Sequence, residues 1–344
     1  MSLNLEATID RRNVDVAFEV ADGETLAILG PNGAGKSSVL AAIAGILRPD
    51  TGRATLAGEV LFGDRICKAP HLRGTALLSQ DALLFPHLDV TDNVAFGPRS
   101  AGLSRSESRA RAQHWLAEVD ASDLAGLKPS QLSGGQAQRI GVARALAAEP
   151  NLLLLDEPMA ALDITVVPAM RQMIKRVLTD RTAIIVTHDA LDAALLADRV
   201  IIMDRGRIVE QGATKDILAR PRSPFGARIA GLNLLSGVAE DGGVRTPDGS
   251  HVEGLSAEPI DDAQAAVAVF SPSSVSVYLE PPVGSPRNVF AATVTELEPI
   301  GAQVRVRTAE VSADVTVAAV ADLKLMPGTR VYLSVKASEV SIYV

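Results

Sequence analysis

Residues 30–37 form a glycine-rich segment that ends in a lysine and a serine. The segment follows a short apolar run at residues 25–29 and precedes residues 38–45, which have the pattern of a buried helix. Backbone N–H groups surround an anion only where side chains do not block the approach, and a helix N-terminus adds to the attraction. The order of strand, glycine loop and helix therefore predicts a phosphate-binding loop. Its candidate residues are Gly30, Pro31, Asn32, Gly33, Ala34, Gly35, Lys36, Ser37 and Ser38.

Two residues of this loop and two carboxylates later in the chain have the side chains needed to bind a nucleotide and Mg²⁺. Lys36 supplies a point charge for the outer phosphates of a nucleotide, and Ser37 offers a hydroxyl to Mg²⁺. Asp156 and Glu157 follow the apolar run 152–155, which is typical of a parallel strand covered on both faces. In a doubly wound sheet this strand ends beside the loop, so we expect Asp156 to hold Mg²⁺ and Glu157 to polarise the attacking water.

Length, charge and cysteine content indicate the number of domains and exclude several classes of protein. A chain of 344 residues is longer than a single hydrophobic core usually supports, so we expect two domains. The net charge is −8 and no cluster of lysines and arginines is present, which argues against nucleic acid as a direct ligand. The lone Cys67 excludes an internal disulfide, fits a reducing compartment and is predicted to be a small buried apolar residue. No signal segment or membrane-spanning run is recognisable, so we expect a cytosolic chain that reaches a membrane only through a partner.

The first part of the chain has an α/β pattern. Apolar runs such as residues 183–186 predict parallel strands, and residues 200–207 predict a strand that enters a hairpin, so the sheet is expected to be mixed. Residues 104–118 have a helical pattern, with Trp115 as a core anchor. We place this domain at residues 1–231, with a helical subdomain at about residues 85–150.

After Gly231 the pattern changes to β. Residues 293–295, 304–307 and 315–317 alternate as strands do, and a proline-rich stretch at residues 281–286 interrupts them. The expected fold class is an α/β P-loop nucleotide-binding domain with a helical subdomain, followed by a small all-β, OB-like barrel at residues 232–344.

An internal repeat lies within the second part. Residues 270–278 and 335–343, offset by 65 residues, share the pattern Ser-x-Val-Ser-Val/Ile-Tyr. We expect two similar β units that pair into one barrel.

A second phosphate-binding element is the segment Leu-Ser-Gly-Gly-Gln at residues 132–136. It resembles the signature sequence of the ATP-binding cassette (ABC) ATPases, and the resemblance extends from about residue 3 to residue 230. A Ser-Gly-Gly turn that enters a helix is itself suited to a phosphate. The resemblance implies that this turn faces the γ-phosphate of an ATP held by the opposite subunit of a homodimer. The candidate residues are Ser133, Gly134, Gly135 and Gln136.

Three further motifs stand in the order of that family. Gln80 resembles the Q-loop glutamine, which touches Mg²⁺ and the attacking water, and Asp163 lies in Ala-Leu-Asp at residues 161–163, which resembles the D-loop. His188 resembles the switch histidine that contacts the γ-phosphate. The resemblance therefore implies the catalytic residues Glu157, His188 and Gln80, the Mg²⁺ ligands Ser37, Gln80 and Asp156, and ATP with Mg²⁺ as cofactors. The chain departs from the family at residues 9–13, which lack an aromatic residue for adenine and leave Arg11 or Arg12 to lie over the base.

The C-terminal part resembles the oxyanion-binding barrels of importer ATPases, and the molybdate-binding version most closely. The resemblance covers about residues 265–344 and rests on Ser-Pro-Arg-Asn at residues 285–288 and Val-Lys-Ala-Ser at residues 335–338. A doubly charged oxyanion prefers N–H donors and a cation in a small polar pocket. The candidate oxyanion residues are Ser285, Arg287, Lys336 and Ala337. The chain has Ala318 and Ala319 where the family often has a serine.

These resemblances imply the ATPase subunit of a molybdate importer, with tungstate as a second oxyanion. Such a chain is a homodimer at the cytoplasmic face of the inner membrane, beneath an integral-membrane permease that receives its cargo from an extracytoplasmic binding protein. Import of sulfate, a metal ion or a polyamine by the same ATPase remains open. So do a soluble cassette ATPase outside transport and an oxyanion-sensing module with a vestigial ATPase.

Overall fold

The structure is a computed structural model that describes residues 2–160 and 162–344. It separates into two compact units, Met1–Ile217 and Leu218–Val344. Ala161, which belongs to the predicted D-loop, lies outside the described residues. The predicted domain boundary between residues 231 and 232 stays a prediction.

The first unit is an α/β structure. Its strands are β1 (Leu3–Ile9), β2 (Val14–Val20), β3 (Thr25–Leu29), β4 (Thr51–Leu56), β5 (Glu59–Phe62), β6 (Thr75–Leu78), β7 (Leu152–Asp156), β8 (Ala183–Val186), β9 (Arg199–Asp204) and β10 (Arg207–Ala213). Its helices are α1 (Lys36–Ala44), α2 (Val90–Ser100), α3 (Arg105–Glu118), α4 (Gly134–Ala147), α5 (Val167–Leu178), α6 (Ala190–Leu196) and α7 (Thr214–Ala219), within which the division between the units falls.

Two sheets organise this unit. An antiparallel sheet has the strand order β2-β1-β4-β5, and a larger sheet has the order β10-β9-β3-β8-β7-β6. In the larger sheet β9, β3, β8, β7 and β6 are parallel and β10 is antiparallel, which confirms the predicted mixed sheet. The side chains of β3, β7 and β8 are almost wholly buried, as expected for strands covered on both faces. Because the parallel strands end at one edge, the segments that follow β3, β8, β7 and β6 meet there.

Helices α2, α3 and α4 share one hydrophobic core with the faces of β6 and β7. Helix α3 begins after Ser104, whose side chain forms a reciprocal capping box with Glu107, so the helix begins where the sequence predicts it. Trp115 on α3 is buried in this core, and the guanidinium of Arg181 lies 5.0 Å from its ring centroid. The predicted role of Trp115 as a core anchor is confirmed.

The prediction of a buried Cys67 is wrong. Cys67 is exposed, and its backbone forms an isolated bridge with Phe62. Arg73 is buried instead: its guanidinium donates to the carbonyl groups of Ala42 and Ile43 at the end of α1, and its Nη2 lies 3.5 Å from the thiol. The charged side chain therefore satisfies the last carbonyls of a helix, while the small thiol remains at the surface.

The second unit is almost entirely β. Its elements are α8 (Pro224–Ile229), β11 (Asn233–Glu240), β12 (Gly243–Arg245), β13 (His251–Glu253), β14 (Leu255–Ser256), β15 (Ala265–Phe270), β16 (Ser276–Tyr278), β17 (Asn288–Thr293), β18 (Glu296–Ile300), β19 (Gln303–Arg307), β20 (Ser312–Thr316), α9 (Val317–Asp322), β21 (Arg330–Val335) and β22 (Ser341–Tyr343). The sheet orders are β13-β12-β11-β15-β22-β14, β16-β21-β17 and β18-β19-β20. The strand expected at residues 293–295 is wrong, because β17 ends at Thr293 and the next strand begins at Glu296.

The two repeat segments of this unit pair reciprocally. Each consists of a strand, a short 3₁₀ turn and a second strand, with the turns at Pro272–Ser274 and Ala337–Glu339. Strand β15 pairs with β22, and β16 pairs with β21. The registers correspond under the offset of 65, because the pair Val267 and Tyr343 maps onto the pair Tyr332 and Tyr278. Such reciprocity has the symmetry of a two-fold rotation.

Two buried asparagines follow the same symmetry. Asn233 begins β11 and is paired with the last residue of β15, and Asn288 begins β17 and is paired with the last residue of β21. Asn233 exchanges two hydrogen bonds of 2.8 Å with the backbone of Ser312, and Asn288 exchanges two of 2.8 and 2.9 Å with the backbone of Glu253. Each side-chain amide thus forms hydrogen bonds with both the N–H and the carbonyl of one residue, which lies on a strand that does not pair with the strand of the asparagine.

Candidate functional site

The glycine-rich segment connects β3 to α1 at the carboxyl edge of the larger sheet. Gly30 has φ 155°, and a Cβ there would lie 2.3 Å from the carbonyl oxygen of Met203. Gly35 has φ 97°, and a Cβ there would lie 2.5 Å from Val14 Cγ2. Both positions therefore require glycine. Within the described residues no side chain caps the start of α1, so its first N–H groups are free to face an anion.

Lys36 is buried at the base of this loop. Its Nζ donates to the carbonyl oxygen of Gly30 at 2.8 Å and to that of Pro31 at 3.0 Å. Burial lowers the pKa of Lys36, and the nearby charges of Glu157 and Asp156 act in the opposite direction. The backbone thus holds the ammonium group inside the loop.

Ser37 and Asp156 lie side by side across the sheet edge. The hydroxyl of Ser37 donates to Oδ1 of Asp156 at 3.2 Å. Burial raises the pKa of Asp156; the Ser37 hydrogen bond lowers it, the charge of Glu157 raises it further and Lys36 lowers it. A hydroxyl beside a carboxylate forms part of an oxygen ligand set for Mg²⁺, which takes few protein ligands and fills its octahedron with water and substrate phosphates.

Glu157 and His188 face each other at the ends of β7 and β8. Oε2 of Glu157 lies 3.6 Å from Nδ1 of His188, whose ring is largely exposed. Glu157 has φ 47°, a left-handed conformation that is uncommon for a residue with a side chain, and its N–H donates to the carbonyl of Val186. The charge of Glu157 acts on Lys36, so the carboxylate lies near the phosphate loop.

A buried ion-pair network holds the backbone on both sides of His188. Arg171 on α5 donates to Oδ1 of Asp192 on α6 and contacts Asp189 at 3.2 Å. The hydroxyl of Thr187 donates to Asp192 and accepts from the N–H of Asp189. Sequence reasoning missed this network. The signal available for it was a pair of opposite charges on the apolar faces of two successive helices.

The Ser133 turn begins α4 with a reciprocal capping box. The N–H of Gln136 donates to Ser133 Oγ at 3.3 Å, and the N–H of Ser133 donates to Gln136 Oε1 at 2.9 Å. Ser133 and Gly134 are exposed, whereas Gly135 and Gln136 are half-buried. Among the described residues no hydrogen bond or ion pair joins this turn to residues 30–37.

Gln80 is exposed after β6 and begins the segment of residues 80–85, here called the Q-loop. It lines a small cavity together with Gly134 at the start of α4 and Pro158, which follows Glu157. The Q-loop therefore adjoins both the signature helix and the segment after the carboxylates.

Asp163 is exposed, and its Oδ1 accepts from the N–H and the hydroxyl of Thr165, which lowers the pKa of Asp163. Its carboxylate is thus held at the turn before α5. Arg11 and Arg12, the candidates for the base, are exposed on a 3₁₀ turn. The next residue, Asn13, donates to the carbonyl of Arg205.

The oxyanion candidates lie at one strand end of the second unit. Arg287 precedes Asn288, Lys336 follows Val335, and Asn288 and Val335 are register partners. Ser285, Arg287 and Lys336 are exposed, while Ala337 is half-buried at the start of a 3₁₀ turn. Strand pairing thus brings Arg287 and Lys336 to the same sheet edge.

Comparisons with known proteins agree with this geometry. A family model described as "ABC transporter" matches residues 14–160, and one described as "TOBE domain" matches residues 284–342. The chain is 47% identical over 357 residues to "Molybdenum import ATP-binding protein ModC" of Mycobacterium tuberculosis (strain ATCC 25618 / H37Rv), which covers 99% of this chain and 97% of that protein. The chain belongs to the ABC transporter family.

A further relative of this ABC chain is "Molybdate/tungstate import ATP-binding protein WtpC" of Pyrococcus horikoshii, 36% identical over 96% of this chain and 95% of its own. Among solved structures, the dimeric post-hydrolysis state of the ATP-binding cassette MJ0796 with ADP and Pi matches with a TM-score of 0.56. It is 27% identical and covers 62% of this chain and 99% of its own. The predicted family and the fold class, a P-loop ATPase fold followed by a small all-β domain, are confirmed.

Proposed function

We propose that this chain is the ATP-hydrolysing subunit of an importer for molybdate or tungstate. One observation carries the proposal: two relatives named for molybdenum or molybdate/tungstate import resemble the chain along at least 96% of its length. The similarity therefore includes the β unit as well as the cassette. The motifs of residues 285–288 and 335–338 favour molybdate over sulfate, a metal ion or a polyamine.

The geometry of the first unit supports hydrolysis of ATP. Lys36 and the N-terminus of α1 are arranged to bind the β- and γ-phosphates, and Glu157 and His188 lie close enough to act on one water and one phosphate. Ser37 and Asp156 have oxygen ligands suited to Mg²⁺, and Gln80 would be a further ligand. In the described part of the chain, no group of three or more His, Cys, Asp or Glu residues forms an alternative metal site. When bound, Mg²⁺ neutralises charge on the transferred phosphoryl group.

The arrangement of the phosphate-binding elements supports a homodimer. Ser133, Gly134, Gly135 and Gln136 present a helix N-terminus that no hydrogen bond or ion pair among the described residues joins to residues 30–37 of the same chain. In a two-fold dimer the same turn reaches the partner's nucleotide, and Asp163 lies at the interface. ATP then closes the dimer and hydrolysis reopens it.

The cargo crosses the membrane through a separate subunit in this proposal. None of the helices described in residues 2–160 and 162–344 combines the length and apolar character needed to cross a bilayer. The chain would act as a peripheral subunit at the cytoplasmic face, bound to an integral-membrane permease that is loaded by an extracytoplasmic binding protein.

The experiment is uptake of labelled molybdate by cells in which this gene is replaced by variants. Glu157→Gln is expected to abolish uptake, and Glu6→Gln, an exposed change on β1, is expected to leave it unchanged. Excess tungstate should compete with molybdate, whereas sulfate and spermidine should not. Uptake that survives Glu157→Gln would overturn the ATPase role, and competition by sulfate alone would assign the cargo to another oxyanion.

We further propose that Ser285, Arg287, Lys336 and the N–H of Ala337 bind the oxyanion in the β unit. The support is the convergence of two cations at one sheet edge beside a short turn. Calorimetry on the full chain should show saturable molybdate binding that Lys336→Met removes and that Lys324→Met, an exposed change on the same unit, retains. Equal binding by the two variants would contradict this assignment.

A further inference from the structure

Gln138 on α4 carries a buried polar group that the cassette mechanism does not use. The residue is 4% exposed, and its Nε2 has no hydrogen-bond partner among the described residues. The only other buried side-chain atom of this kind in the described residues is Ser108 Oγ on α3. An unpaired buried donor costs stability, so its presence needs a reason.

Gln138 lines a cavity where the motifs of the site converge. The cavity has a volume of about 140 Å³, enough for a polar group or an ordered water. Its lining residues are Gln80, Asp81, Ala82, Gly134, Ala137, Gln138, Pro158 and Leu162. They belong to the Q-loop, to helix α4, which begins at the signature turn, and to the segment that follows Glu157.

Residues on one face of α4 contact the Q-loop at residues 82–85. Arg144 donates to the carbonyl of Ala82 at 2.7 Å and to that of Leu83 at 2.9 Å, and its guanidinium lies 5.4 Å from the ring centroid of Phe85. One turn earlier, a Cβ on Gly141 would lie 2.7 Å from Leu78 Cδ1 and 3.3 Å from Ala82 Cβ. The helix and the segment after β6 therefore touch at both positions.

Gln138 is one further turn towards Ser133 on the same face, because residues three apart on a helix are neighbours. There the two elements separate and the cavity lies between them. Arg144 holds the Q-loop at Ala82 and Leu83, whereas Gln80 and Asp81 line the same cavity as Gln138, whose amide nitrogen has no partner among the described residues.

We propose that Gln138 is a positioning residue for Gln80: its Nε2 donates to an oxygen of the Gln80–Asp81 segment when ATP joins two chains. The bond closes the cavity and fixes Gln80 relative to the signature turn at the start of the same helix. The inference rests on the proposed ATPase function, because it assigns the unpaired donor to the ATP-bound dimer.

The test is Gln138→Met, which keeps the volume of the side chain and removes the donor. Removal of an unpaired donor should raise the melting temperature of the full chain without nucleotide by about 2–4 °C. Loss of the bond in the working state should lower kcat for ATP by about three- to tenfold, with KM for ATP unchanged. An unchanged kcat overturns the proposal, and so does a lowered melting temperature, because the donor would then have a partner in the resting chain.

Ser108→Ala is the matched control. It removes the other unpaired buried group and should raise the melting temperature while leaving kcat and KM unchanged. Failure of the proposed function is separate, because it would appear as absent hydrolysis in the unsubstituted protein. A wild-type ATPase whose Gln138→Met variant is equally fast contradicts this inference alone.

Discussion

The hydroxyl of Ser37 and the carboxylate of Asp156 are joined by a hydrogen bond of 3.2 Å, although the residues are 119 positions apart. The contact brings the end of the phosphate loop to the end of β7. It also places an ionisable group in a partly buried position, where the pKa of Asp156 is raised chiefly by burial. The carboxylate proposed to hold Mg²⁺ is therefore also one whose charged form is disfavoured by burial.

Asp156→Asn should separate these two effects. With its pKa raised in the folded state, Asp156 adds stability below its unfolded-state pKa, and this stability is lost as pH rises through the folded pKa. At pH 7 the charged carboxylate therefore lowers the free energy of unfolding, so the variant should melt at a higher temperature than wild type. The difference in melting temperature should vanish as pH falls to about 4. Hydrolysis dependent on Mg²⁺ should be lost at every pH. A melting difference that does not change between pH 7 and pH 4 contradicts the role of burial.

Arg171 should matter far more for stability than a surface arginine. Arg171→Met leaves the buried Asp192 without its cation and is expected to lower the free energy of unfolding by about 3–5 kcal/mol. Arg171→Met with Asp192→Asn should recover most of the loss, because the amide keeps an acceptor for Thr187. Urea unfolding measures both. The control is Arg176→Met, whose exposed pair with Asp120 should be worth about 1 kcal/mol or less; equal losses would contradict the account.

The two buried asparagines of the β unit should be energetically equivalent. Asn233→Ala and Asn288→Ala each leave an N–H and a carbonyl of Ser312 or Glu253 unpaired, which should cost about 2–4 kcal/mol. The losses should agree within about 1 kcal/mol, since each variant removes the same pair of bonds. Chemical unfolding followed by a probe in the β unit checks this. A large loss for one variant and none for the other would contradict the equivalence.

The sequence predicts those features whose cause is local. The loop at residues 30–37 needs glycine at Gly30 and Gly35 for reasons of backbone geometry, and β7 is visible as an unbroken apolar run, so both are predicted correctly. The Arg171–Asp192 pair depends on how α5 packs against α6, and charges on the apolar faces of two helices do not by themselves show that they pair. The exposed Cys67 is wrongly predicted because Arg73, an unusual core residue, takes the buried position beside α1.

The site residues also divide into those that the sequence predicts and those that depend on how elements pack. Strand order explains why Lys36, Ser37, Asp156, Glu157 and His188 converge, since each lies at or just after the end of a parallel strand at one edge of the sheet. The unpaired amide of Gln138 could not be predicted, because it arises from the path of the Q-loop over one face of α4. The place of Ser133 opposite a partner's nucleotide stays a prediction, since it concerns two chains.

Mixing two inactive variants tests the shared site most directly. Lys36→Ala removes the phosphate-binding charge, and Ser133→Glu places a negative charge in the signature turn, so each homodimer should hydrolyse almost no ATP. A mixed dimer has one site with an intact Lys36 from one chain and an intact Ser133 from the other. Equal mixing should therefore restore about a quarter of the wild-type sites, because about half of the dimers are mixed and each has one complete site. If the mixture stays as inactive as its components while mixed dimers form, each chain completes its own site and the account is wrong.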